Sequence, residues 1–321
     1  GSLNVSNGTN ATISGGNNNI SGPYAFVGGG SINVASGSGA TIGGGGLNTA
    51  SAANSTIGGG VYNEATATAT YASVLGGQYN NVSGDYATIG GGGGATPADG
   101  NQITNDYSTV GGGTANSISG NYATIGGGDQ NTASGSRGTV AGGHGNAAGG
   151  IYSSVGGGWS NAADGSYSMV PGGNYCAAQG SYSFAAGRHA KAYNSGCFVW
   201  ADGSSNDDTE CSDNDRTIFR SAGGFYIYTD NSAPPSGQYL AGGGSSWNTH
   251  SDREAKENVQ PVDARDVVAR LAGIPITTWN YESQDPSIRH IGPMAQDFNT
   301  LVDGLGGEGE TYINSLDADG V

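Results

Sequence analysis

Charge is scarce in this chain and one-sided where it occurs. Ionisable Asp, Glu, Lys and Arg make up 11% of 321 residues, and acids outnumber bases by 26 to 10. A net charge of −16 without a basic stripe leaves nothing to neutralise phosphates, so no nucleic-acid partner is predicted. No apolar run approaches the roughly 20 residues that span a bilayer, which argues against membrane insertion. No signal peptide is visible, and Gly1–Ser2 reads as a tag remnant with the native protein beginning upstream. Cysteines number three: Cys197 and Cys211 flank an acidic loop and either pair in an oxidising compartment or stay as buried thiols, while Cys176 sits free inside a repeat. A G-x4-G-K-[ST] phosphate loop is missing despite 63 glycines.

Those glycines are placed rather than scattered. "YATIGGG" occurs at Tyr86 and again at Tyr122. The apolar residue ahead of each glycine run falls at Ile13, Val27, Ile42, Ile57, Val74, Ile89, Val110, Ile125, Val140, Val155 and Val170, mostly at intervals of fifteen. A second phase follows as N-x-A, beginning at Asn33, Asn48, Asn63, Asn131, Asn146 and Asn161, with Cys176 in the Asn place of "CAA". Alternating β-branched residues indicate strands. Fifteen residues hold two short strands and two turns, and one such rung buries too little to stand alone, so rungs must stack. About 12 rungs spaced about 4.8 Å apart predict a thin rod. Glycine is expected to supply positive φ at the corners. The longer intervals, from Ile57 to Val74 near "EATATATYAS" and from Ile89 to Val110 near "GGATPADGNQITNDYS", read as loops inserted on one face.

These repeats resemble the heads of YadA-like trimeric autotransporter adhesins. The resemblance covers Ala11 to Ala192 and implies an all-β, left-handed parallel β-roll (a solenoid) that assembles as a homotrimer. The G-G-G runs and the 15-residue unit depart from that pattern. The expected organisation is a lead-in over 1–10, the β-roll over 11–192, a neck over 193–245 and a further domain over 246–321.

The neck carries strand-like "CFVWAD" and "TIFRSAGGFYIYT" around an acidic loop. Asp202, Asp207, Asp208, Glu210, Asp213 and Asp215 are oxygen ligands of the type calcium takes, but no D-x-[DN]-x-[DN]-G-x5-E loop is present. A solvated acidic loop is the expectation, with no metal and no cofactor.

Beyond it, "SSWNTHSDREAKENV" opens a charged, mixed α+β stretch. "PVDARDVVARLAGIP" predicts a helix with Asp263 at its start, Val267, Val268 and Leu271 on one face, and Gly273 as its stop. "ITTWNY" and "IRHIGPMAQDF" read as strand-like. The stretch resembles the endosialidase-type intramolecular chaperone, a self-cleaving C-terminal domain of phage tail fibres and other fibrous proteins. The matching residues are Ser251, Asp252, Lys256, Glu257 and Asn258, the "LAGIP" helix end, and His290 to Asp297. The resemblance implies a Ser251 nucleophile with Lys256 as base, supported by Asp252, Asn258, His290 and Gln296. It further implies a cut between His250 and Ser251. A serine hydroxyl needs such a base, and lysine serves once desolvation lowers its pKa. Glu254 stands where that family carries a basic residue, and the family's domain continues past the "DADGV" that ends at Val321.

The function expected is a trimeric fibre, on a virion tail or cell surface, that attaches to a receptor, glycan or other. A bacterial autotransporter head is the alternative, and a polysaccharide-degrading spike the third reading. The third suffers from few and scattered carboxylates, since glycoside hydrolysis wants two at about 5 to 9.5 Å. Tyr24, Tyr71, Tyr86, Tyr107, Tyr122, Tyr152, Tyr167 and Tyr182 recur once per rung, and are read either as a packed ladder or as an aromatic strip that grips glycans. His144 and His189 read as structural.

Overall fold

A computed structural model describes residues 3–228, 237–249 and 253–301. The chain divides into two units, Gly1–Ala222 and Gly223–Val321.

The first unit is an all-β parallel solenoid of about 14 turns. Each rung gives one strand, usually two residues long, to each of two parallel sheets, and successive rungs pair in strict register. Thr124 and Ile125 lie beside Thr139 and Val140 in one sheet, and Thr132 and Ala133 beside Ala147 and Ala148 in the other. Alternation puts one residue of each pair inward. Ile42, Ile57, Ile89 and Ile125 from one sheet and Ala35, Ala50, Ala133 and Ala148 from the other are fully buried. Facing β-branched residues with alanine makes the core one side chain thick.

A third inward column is polar. The Asn of each N-x-A, together with Asn19, Asn80, Asn101 and Asn116, is buried. Asn131 shows the pattern: its Oδ1 accepts the backbone N–H of Asn146 at 3.0 Å, while its Nδ2 donates to Gly127 O at 3.0 Å and Gly143 O at 2.9 Å. Burying an amide costs little once its donors and acceptor are paired. The ladder runs upward to Cys176, whose N–H still reaches Asn161 Oδ1 at 2.9 Å.

Glycine supplies positive φ at the corners, as expected at Gly45, Gly60, Gly128 and Gly143, but it does not do so alone. At both turns of the rung the left-handed conformation also falls on non-glycine residues, among them Tyr86, Tyr122, Arg137, Gln130 and Ser160, with φ between 52° and 59°. Left-handed backbone costs roughly 1–2 kcal/mol for a residue with a Cβ. Here each such N–H binds a carbonyl one rung below, as Tyr122 N does Asp106 O at 3.0 Å and Gln130 N does Thr114 O at 2.9 Å. Glycine is required instead at the third place of each run. Gly128 has φ 93°, and a Cβ there would run into the carbonyl oxygen of Gly143. The middle glycine of that run is sterically idle, with only Gly112 O, at 3.9 Å, near a Cβ on Gly127.

Two further expectations change. The sheets do not stop at Ala192: Phe198–Ala201, Thr209–Cys211 and Thr217–Arg220 continue them, giving 14 turns rather than about 12. The glycine and N-x-A signatures vanish there, but the inward places stay small and apolar, with Val199, Ala201 and Cys211 fully buried. A Cys197–Cys211 disulfide crosses the core of this rung. The two insertions also lie on opposite edges. One lengthens the turn after Glu64–Ala65; the other, holding the short helix Pro97–Asp99, precedes Gln102–Ile103 at the other corner. Both are accommodated because the strands on either side keep their pairing.

In the second unit, Gly224–Tyr228, Gly237–Ala241 and Trp247–Thr249 form an antiparallel sheet. "TIFRSAGGFYIYT" is thus two strands, broken at the turn around Ala222 and Gly223. A helix, α1, spans Ala264–Leu271, then Thr277–Trp279 pairs antiparallel with His290–Gly292, and a second helix, α2, spans Ala295–Leu301. Among the described residues, no helix is long and apolar enough to cross a membrane.

Candidate functional site

Local chemistry sets the elements around the predicted dyad. Asp263 caps α1, its carboxylate accepting from Arg265 N at 2.9 Å, and Asp266 pairs with Arg270 one turn on. The chain leaves the helix at Gly273, and Ile274 and Phe298 form a small core with Leu271. Val268, expected on the packed face, is 64% exposed. "IRHIGPMAQDF" is only partly strand. Pro293 cannot donate to a ladder, and the chain turns helical from Ala295.

His290 is the best-defined of the predicted site residues. Its Nε2 is 2.8 Å from Gln284 Oε1, its ring stacks on Trp279 at 4.6 Å, and Tyr281 meets it edge-on at 5.7 Å. Arg289, beside it, donates to Thr278 O at 3.0 Å and Thr278 Oγ1 at 2.8 Å, which locks the two strands. Gln284, Trp279 and Tyr281 were not singled out in the sequence; the aromatic run "WNY" opposite "RHIG" was the available signal. Lys256 follows the short helix Arg253–Ala255 and is exposed; Asn258 holds φ 58° and is exposed; Gln296 lies exposed on α2. His250, Ser251 and Asp252 lie outside the described residues.

The solenoid presents other candidates. The acidic loop is occupied by protein partners: Asp202 accepts from Ser204 N at 3.2 Å and pairs with Arg220 at 3.5 Å, Asp208 pairs with His189 at 2.9 Å, and Asp213 with Arg216 at 2.7 Å. The Asp202 carboxyl is held below its usual range, first by the Ser204 hydroxyl and then by the Ala222 N–H. Among the described residues, no three His, Cys, Asp or Glu gather as a metal site. Asp85 and Asp106, on neighbouring rungs, each cap a backbone N–H one rung below, Thr70 at 2.7 Å and Asp85 at 2.9 Å. His144 is tied to Asp129 at 2.8 Å and leans on Trp159 at 4.1 Å. Burial pushes the free Cys176 thiol up.

The tyrosines form a true column. Tyr71, Tyr86, Tyr107 and Tyr122 stack with centroids 4.9–5.1 Å apart, and Tyr152, Tyr167 and Tyr182 at 5.1–5.2 Å. Tyr24 is cut off from it by Gly39 and Asn54 at the intervening corners. Ring faces are turned on one another, so the column offers solvent edges and hydroxyls rather than the open faces on which sugars stack.

Residues 251–307 match the protein family described as chaperone of endosialidase. No curated protein matches the chain. The chain therefore joins a parallel β-solenoid to a segment that matches the endosialidase-chaperone family.

Proposed function

We propose that the solenoid is the shaft of a homotrimeric attachment fibre of the phage tail-fibre kind, a left-handed roll similar to YadA-like heads. Its C-terminal segment drives trimerisation and then cuts itself free. The observation that carries this reading is where the family match begins: at residue 251, the serine whose N-terminal bond is the predicted cut. Ser251 Oγ adds to the carbonyl carbon of His250 while Lys256 takes the hydroxyl proton and passes it to the departing Ser251 nitrogen. Water hydrolyses the resulting ester, giving the His250 carboxylate and restoring the Ser251 hydroxyl. Lys256 is exposed in the single chain, so the desolvation a lysine base needs comes from neighbouring copies, which makes cleavage follow assembly. Removal of the folding aid leaves the fibre kinetically trapped. An attachment fibre works outside the cell, where the Cys197–Cys211 bond persists.

Denaturing electrophoresis with intact-mass measurement tests the reaction. The native sequence should give two pieces, 1–250 and 251–321, whereas Ser251→Ala and Lys256→Ala should each give one uncut chain. One band pattern shared by all three ends the cleavage reading.

A further inference from the structure

One face of the solenoid differs from the rest. Its outward side chains come from the strands that include Thr41–Ile42 and Thr124–Ile125 and from the residue after each. From Thr12–Ser14 through to Met169–Pro171, none of these eleven three-residue segments contains an ionisable side chain; the longer strands beyond, Phe184–Arg188, Phe198–Ala201 and Thr217–Arg220, bring in Arg188, Arg220 and, just past Ala201, Asp202. The opposite sheet bears Glu64, Asp164, Lys191 and Glu210 on its corresponding segments, and the corners bear Asp85, Asp106, Asp129 and Arg137. Large apolar groups stand in water on this face, Leu75 at 60% exposure, Phe219 at 49% and Met169 at 43%, as they also do at the corners, where Ile151 and Trp159 are exposed. Phe184 stacks on Phe198 at 4.5 Å, and Phe198 meets Phe219 at 5.5 Å, so its C-terminal end is an aromatic strip.

We infer that this face is where copies of the chain meet, parallel and rung against rung; the inference rests on the trimeric reading above. Three chains of formal charge −16 repel one another, and this is the surface they can share without bringing like charges together. Exposed apolar groups on an otherwise polar rod mark a contact surface. Size agrees as well. Fourteen rungs at about 4.8 Å, three residues wide at about 3.3 Å each, give a strip of roughly 650 Å² per copy, near the ~800 Å² that a standard interface buries per partner. Parallel, in-register packing sets every Thr, Gly and Phe level with its own equivalent. The bulk of Met169 and of the Phe184–Phe198–Phe219 strip then fixes the register that uniform Thr–Ile–Gly rungs leave open.

Light scattering of the full chain decides it, with circular dichroism confirming β structure. Thr124→Arg/Thr139→Arg places two cations on this face; Ser119→Arg/Thr132→Arg places two on the opposite sheet. With Ser251→Ala in every sample so that the chain stays whole, the otherwise native chain and the second variant should have three times the chain mass, and the first variant about one third of theirs. If both variants stay trimeric, or only the second dissociates, the assignment is overturned while the trimeric reading stands. A monomeric native chain overturns both. In case the arginines unfold the rod, Thr124→Cys with a mild oxidant should give cross-linked dimers on denaturing gels that Thr132→Cys does not. Absence of that band also overturns the assignment.

Discussion

The guanidinium of Arg137 lies 5.0 Å from the ring centroid of Tyr122 and takes the place of a ring in the tyrosine column. Its other face meets Tyr152 at 5.1 Å. A planar cation between two phenol faces joins what would otherwise be two short stacks into one continuous column from Tyr71 to Tyr182.

Arg137→Ala should break that column, removing two exposed cation–π contacts worth about 0.5–1 kcal/mol each. Arg137→Tyr should restore continuity by stacking alone. Thermal unfolding should rank native and Tyr variants above Ala, and equal midpoints for all three would show that the column is ornamental to stability.

The buried amide ladder should be less forgiving. Asn131→Ala strips the N–H of Asn146 of its acceptor and the carbonyls of Gly127 and Gly143 of a donor. Each buried polar group left unpaired costs about 1–3 kcal/mol, so a loss of several kcal/mol in denaturant unfolding is expected. Asn131→Asp keeps the acceptor and loses the donors, and should fall between.

Adjacent glycines should respond in opposite ways. Gly128→Ala forces a Cβ into the Gly143 carbonyl at φ 93° and should unfold or strongly destabilise the rod. Gly127→Ala meets nothing closer than 3.9 Å and should leave the melting temperature within a few degrees of native. The same thermal scan reads both.

Reducing the Cys197–Cys211 bond opens a loop with a sequence separation of 14. Chain entropy puts that at about 3 kcal/mol. Native protein should melt lower in reductant, whereas Cys211→Ser should melt low in either buffer. Hydrogen exchange should place the loss in the last rungs, past Ala192.

Much of the rod can be read from the sequence because its core repeats. Ile125, Val140 and Val155 recur once per rung and share a column. The Asn column resisted reading, since Asn beside a glycine run ordinarily signals a turn, and only the third dimension shows that its amide faces the interior. Left-handed tyrosines were hidden for a related reason: the hydrogen bond that holds Tyr122 goes to Asp106, a whole rung earlier. The last turns escaped because Phe198–Ala201 and Thr209–Cys211 are separated by an acidic loop that erases the period while leaving the pairing intact. At the C-terminal segment, motif spacing marked His290, but its contacts with Gln284 and Trp279 depend on a strand pairing that no local pattern announces.

The upward-pointing amides have an engineering consequence. Every Asn asks the same things of the turn above it and the turn below, so a unit such as 116–130 can be duplicated whole, and the residues on either side find the partners they had before. Fibre reach is thereby set by copy number alone, in steps of about 4.8 Å, without redesigning a single contact.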